Sequence, residues 1–194
     1  MRFTGSYWVA NTFIWNWLLL PILPLSELIK QDFGSNIKTD LMTKSFWQRI
    51  CPYMVIVSIT MGLWASTYPG WTWFAINVLK ADKSQKVLEL ICHLVPFYVT
   101  FSFATVLNGT YYGLGRTDLL AIKSFIGNCL ISTLFALFMN GILFGKNVFS
   151  IATIFGLGLV NGFVFSFIFL YFLLRNYSQL ATAFTQKPND IASL

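Results

Sequence analysis

The sequence predicts an all-α bundle of transmembrane helices, and three observations carry that prediction. Of 194 residues, 56% are hydrophobic and only 10% are charged, with a mean hydropathy of +0.66. Soluble domains carry about 25% charged residues, so this chain has too few to coat a water-facing surface. Apolar runs recur along nearly the whole length, each close to the roughly 20 residues a helix needs to cross a bilayer. Runs such as "GFVFSFIFLYFLL" (162–174) also lack the period-two alternation of a membrane β-barrel.

About five spans follow in order on that length criterion. The first covers about 7–29 and bends near Pro21 and Pro24, where proline removes a backbone bond. Read as a signal peptide, this start would need a charged leader and a small-residue cleavage site. It has Arg2 alone, with prolines and tryptophans inside the apolar run, so it reads as a retained helix. The second span covers about 49–68. After it, "YPGWTWFAINVLKADKSQK" places Trp71, Trp73 and Phe74 ahead of lysines. That pattern predicts an interfacial segment over about 69–84, lying on the membrane surface. The third span covers about 87–112, the fourth 119–144 and the fifth 148–174, with a polar tail over 176–194.

The net charge is +6. In a soluble protein that balance would suggest nucleic acid; here the basic residues sit in the short connections, and no nucleic-acid partner is expected. With five spans, Lys30, Lys38, Lys44, Arg49, Arg116, Lys123, Arg175 and Lys187 fall on one side. The smaller set, Arg2, Lys80, Lys83, Lys86 and Lys146, falls on the other. The positive-inside rule then puts the C-terminus inside and the N-terminus outside. An outside N-terminus with an odd number of spans hints that a helix precedes this chain.

The stretch "VLNGTYYGLGRTDLL" (106–120) concentrates glycines between two apolar runs. A dinucleotide loop needs a third glycine between a strand and a helix, and a Walker A loop needs Gly-Lys-Ser/Thr; neither is present. A turn between two spans accounts for every residue type. Gly109 and Gly113 share one helix face and admit a close neighbour. Gly115 supplies a left-handed helix end, Arg116 sits at the interface, and Thr117 or Asp118 caps the next helix.

This stretch, preceded by a helix with proline at its middle, resembles the tenth helix and its exit in the multidrug and toxic compound extrusion (MATE) family. Upstream, "VLKADKSQKVLELICHLVPFYV" is similar to the family's acidic turn and its Val-Pro-aromatic stretch, here Val95, Pro96 and Phe97. "PLSELIKQDFGSN" resembles the polar exit of the eighth helix, with Gln31 and Gly34 at the polar and glycine positions. "IFGLGLVNGFVFSF" is similar to the start of the twelfth. In order, residues about 20–175 look like helices eight to twelve. Equivalence to helices two to six, or to the related lipid and polysaccharide flippases, stays open because the lobes are related repeats.

The resemblance implies a cation-coupled antiporter exporting organic cations or toxins by rocking two lobes around a central cavity. It covers one incomplete lobe, without the seventh helix that in many members carries a coupling carboxylate. Residues 94–112 contain no acid, and Tyr112 stands where many members have arginine. A second lobe, as another copy or a separate half, would complete the transporter. The alternative is a degenerate lobe kept as a structural subunit of a larger membrane complex.

Candidate substrate or ion sites are Glu27, His93, Asn108, Tyr111 and Tyr112. A carboxylate at membrane depth is costly unless paired or useful, so Glu27 is either a coupling site or an interfacial partner of Lys30. His93, the single histidine, stands four residues from Glu89, as a proton relay or a structural pair. Asn108, Thr110, Tyr111 and Tyr112, with Thr100, Ser102 and Thr105, either line a wall for an organic cation or bond neighbouring helices. The pairs Gly141/Gly145 and Gly158/Gly162 read as packing sites. Asn108-Gly109-Thr110 and Asn176-Tyr177-Ser178 match the glycosylation pattern but fall in or beside the membrane. Cys51, Cys92 and Cys129 have no metal or disulfide spacing. No catalytic constellation, cofactor or metal site is expected.

Overall fold

Proline chemistry decides how the chain begins. The computed structural model describes residues 4–35, 43–79, 84–142, 145 and 147–191. Helix α1 (Thr4–Phe13) passes into a π-helical turn (Ile14–Leu18) and, after a break, into α2 (Ile22–Ser35). Pro21 has no N–H to continue the ladder, and Leu19 N–H instead reaches back to the Ile14 carbonyl at 2.9 Å. Pro24 lies in the first turn of α2, where an N–H has no partner within the helix anyway. The two halves meet at 49°, and together they have the length and apolar composition of one broken span or a re-entrant loop.

Helix α3 (Thr43–Asn77) is followed by α4 (Ser84–Gly113), α5 (Thr117–Met139) and α6 (Val148–Ile191). Each of these four contains a stretch long and apolar enough to cross a membrane, and the bent pair, counted as one span, makes five. The chain is a multi-pass helical membrane protein. Helix α4 is the hub, with half of its apolar window buried inside the chain, whereas none of the α5 window is. The hub packs against α1, α2, α3, α5 and α6.

Two segments differ from their sequence reading. The stretch 69–77, expected to be an interfacial segment separate from span two, is the uninterrupted continuation of α3, with Pro69 inside the helix. At 1.5 Å per residue α3 is about 52 Å long, beyond the roughly 30 Å of a hydrocarbon core. Trp71, expected as a surface anchor, is buried; its ring meets Phe13 at 5.6 Å and Tyr68 at 5.4 Å. Phe13 also meets Phe74 at 5.5 Å, and Trp17 meets Phe74 at 4.8 Å. Aromatic stacking against the first span therefore holds the end of α3 in the bundle. Residues 80–83 of the expected segment lie outside the described residues. The polar tail is likewise a continuation, since α6 runs on to Ile191.

Both glycine turns are helix stops. Gly115 (φ +67°) and Gly141 (φ +70°) take the left-handed conformation. Arg116 N–H reaches Tyr111 O at 2.9 Å and Gly115 N–H reaches Tyr112 O at 3.1 Å, the paired bonds of a Schellman end. Gly141 repeats the pattern through Phe138 and Leu137. It has open space around its Cα, so it ends α5, and the packing role expected for Gly141 is corrected. Asn147 starts α6 by accepting Ser150 N–H at 2.7 Å.

Candidate functional site

The crossing of α2 and α4 depends on glycine. A Cβ on Gly109 would lie 3.0 Å from Ile29 Cβ and from the Ser26 carbonyl. On Gly113 it would lie 2.6 Å from Phe33 Cβ and 2.8 Å from the Lys30 carbonyl, while Gly34 faces Gly113 from α2. This close approach seats the C-terminal half of α4 against α2.

Consecutive residues there point opposite ways. Tyr111 is fully buried and its hydroxyl donates to the Ser166 carbonyl on α6. Tyr112 is exposed and its ring faces Lys30 Nζ at 5.8 Å. Asn108 turns inward to a polar seam among α4, α5 and α6. Lys123 Nζ donates to Asn108 Oδ1 at 2.5 Å and to Ser166 Oγ at 3.0 Å. Ser166 Oγ is also 2.8 Å from the Gly162 carbonyl and 3.2 Å from Asn108 Oδ1. Beside it, Asn161 Nδ2 is buried without a hydrogen-bond partner, near Gly127. Gly158 meets Ile131, and Gly162 meets Lys123 Cε. The α6 row Gly158, Gly162, Ser166 thus lets the α5 row Lys123, Gly127, Ile131 come close.

Four Ser and Thr hydroxyls of α4 serve the helix itself. Thr100, Ser102, Thr105 and Thr110 donate to the carbonyls of Phe97, Tyr98, Phe101 and Leu107. None of these four bonds crosses to a neighbouring helix. A cleft of about 550 Å³ opens further along, between α3 and α4, lined by Trp64, Tyr68, Trp71, Cys92, Pro96 and neighbours. Its wall is fixed at the broken span, where Trp64 Nε1 donates to the Leu18 carbonyl at 3.0 Å. Nearby, Trp15 Nε1 donates to Tyr98 Oη at 3.0 Å and Tyr98 donates to Asn11 Oδ1 at 2.6 Å. The Trp64 bond satisfies a carbonyl at the break, and the other two tie the first helix to α4.

Glu27, Asp32 and Asp118 each meet a basic side chain. Glu27 is exposed and 3.3 Å from Lys30. Asp32 accepts from Tyr53 at 3.0 Å and lies 3.6 Å from Arg49. Asp118 is held by both arms of Arg116 at 3.0 and 2.9 Å. His93 pairs with Thr153 on α6 at 2.9 Å rather than with Glu89. The Thr153 hydroxyl also lies 2.8 Å from Phe149 O. The His93 ring packs between Phe97 and Phe149. Among the described residues, no group of His, Cys, Asp and Glu is arranged to hold a metal.

Lys123 and Ser166 escaped the sequence reading. Lys123 looks like one more basic residue of the inner turn, yet it lies six positions into α5, where an inward cation is notable. The signal was its four-residue spacing from Gly127, opposite the Gly158/Gly162 pair. No family model matches the chain, and neither a curated protein nor a solved structure matches it.

Proposed function

We propose that this chain is one lobe of a MATE-like, cation-coupled antiporter that exports organic cations, with the α3–α4 cleft as part of the substrate path. The observation that carries this reading is the cleft itself. Its volume of about 550 Å³ falls in the range of small-molecule sites, roughly 300–1,000 Å³. Three aromatic rings, from Trp64, Tyr68 and Trp71, line it, and their faces attract a cation. A broken helix at the cleft suits a transporter, whose sites gather at discontinuous spans. The second lobe is a further copy or a separate half. The inner face is the one carrying Arg116 and the C-terminus, by the distribution of lysine and arginine.

A second reading has its own observation. Glu27, Asp32 and Asp118 are each engaged by a cation, so none of the three stands as a lone carboxylate for a coupling ion. This favours a structural subunit of a larger membrane complex. Extraction in mild detergent and native mass spectrometry separate the two. An assembly of two lobes, near twice the 22.1 kDa of one chain or one chain with a similar-sized half, supports the transporter. A mass many times larger would sink it.

A further inference from the structure

We propose that the α4–α5–α6 seam at Lys123 binds a phosphate group, carried by an anionic phospholipid. The Lys123 ammonium meets Asn108 Oδ1 and Ser166 Oγ, both neutral acceptors. The acids Glu27, Asp32 and Asp118, at the same end of the bundle, are each engaged by another cation. Among the described residues no carboxylate meets this ammonium, and a positive charge drawn between apolar helices without a counter-charge is costly, so an anion from outside the chain would offset that cost.

Depth identifies the carrier. Lys123 lies six residues beyond Thr117, the start of α5, or about 9 Å along the axis. That matches the boundary between headgroups and acyl chains, about 5–10 Å below the surface. A basic pocket between spans at that level suits lipid headgroups. The second feature lies one turn deeper, about 6 Å further on. There Asn161, facing Gly127, keeps a buried Nδ2 with no acceptor. An unmet buried donor is costly, so the amide gains by turning to an acceptor brought into the seam. A phospholipid supplies its phosphate first and an ester carbonyl at the next level, in the order Lys123 then Asn161. Free phosphate supplies only the first. No residue in the apolar window of α5 is buried inside the chain, so α5 borders lipid beside the seam.

The test uses the full-length chain in detergent, titrated with phosphatidylglycerol, with phosphatidylcholine of the same acyl chains, and with inorganic phosphate, read by native mass spectrometry. One phosphatidylglycerol is expected to be retained per chain in preference to phosphatidylcholine. Lys123→Gln should weaken that retention about fivefold, the weight of one lysine near an anionic surface. Lys123→Arg should retain it, and Lys30→Gln, at an exposed lysine paired with Glu27, should leave it unchanged. Equal retention of the two lipids by the unaltered chain would overturn the proposal even if Lys123→Gln failed to fold. An equal loss in Lys30→Gln would overturn it too, as nonspecific attraction. Displacement of the lipid by millimolar inorganic phosphate would reassign the site to a soluble anion.

Discussion

Gly113→Ala tests the crossing that seats the C-terminal half of α4 against α2. The added methyl would sit 2.6 Å from Phe33 Cβ, 2.8 Å from the Lys30 carbonyl and 3.1 Å from Gly34 N. Carbon atoms rest at about 3.5–4.0 Å, so α2 and α4 have to part by roughly 1 Å, a gap that forfeits up to half of each contact's attraction. Two of the three obstructing atoms are backbone and cannot swing aside. Ile29 and Phe33, both fully buried at this crossing, lose packing together. Overpacking of this kind costs about 1–3 kcal/mol, or about five- to 150-fold in the unfolding constant. Denaturant titration of helicity in mixed micelles would measure it. Gly62→Ala is the control: nothing lies within 4 Å of its added Cβ, and removing a helical glycine gains up to about 1 kcal/mol. Equal stability of Gly113→Ala and the unaltered chain would refute the close approach.

Other substitutions probe the remaining joints. Tyr111→Phe keeps the buried ring and loses only the bond to the Ser166 carbonyl, so the same titration should show a loss of about 1 kcal/mol. No change would remove the α4–α6 tie from the account. Phe13→Ala empties the aromatic contact with Trp71 and Phe74 and should cost about 3–5 kcal/mol. Proteolysis in the 69–77 stretch should rise with it; a resistant α3 end would contradict the stacking. Trp64→Phe removes the donor to the Leu18 carbonyl. Amide exchange near residues 18–22 should quicken while exchange in α5 stays the same, and unaltered exchange at the break would show that the indole does not secure it.

Much of this architecture was legible because bilayer physics writes directly into composition. Four apolar runs correspond to α3 through α6, and Pro21 and Pro24 announced the broken first span. Gly109 and Gly113 carried the α2 crossing in their spacing, and Gly115 its left-handed turn. The helical course of 69–77 was hidden because tryptophans ahead of lysines suit a surface segment as well as an aromatic cluster, and only the partner rings Phe13 and Trp17 decide between them. Hydroxyls were ambiguous for a similar reason: Thr100, Ser102 and Thr105 satisfy their own helix, which no local pattern distinguishes from lining a cavity. Lys123 was misplaced because counting charges by connection ignores which face of the helix they occupy. The cleft joins Trp64 to Pro96 across a turn, a contact that periodicity within either helix does not contain.

Ethidium efflux from proteoliposomes under an imposed proton or sodium gradient addresses the transport claim most directly, using the assembly as extracted from its membrane. Tyr68 lines the cleft with its ring against Trp71. Losing one cation–π partner is worth about 0.5–2 kcal/mol, roughly two- to thirtyfold in transport efficiency. Gradient-driven efflux is expected to fall by that factor in Tyr68→Ala and to survive in Tyr68→Phe. Efflux absent from the intact assembly, or equal in all three proteins, would contradict the assignment of this cleft to an organic cation.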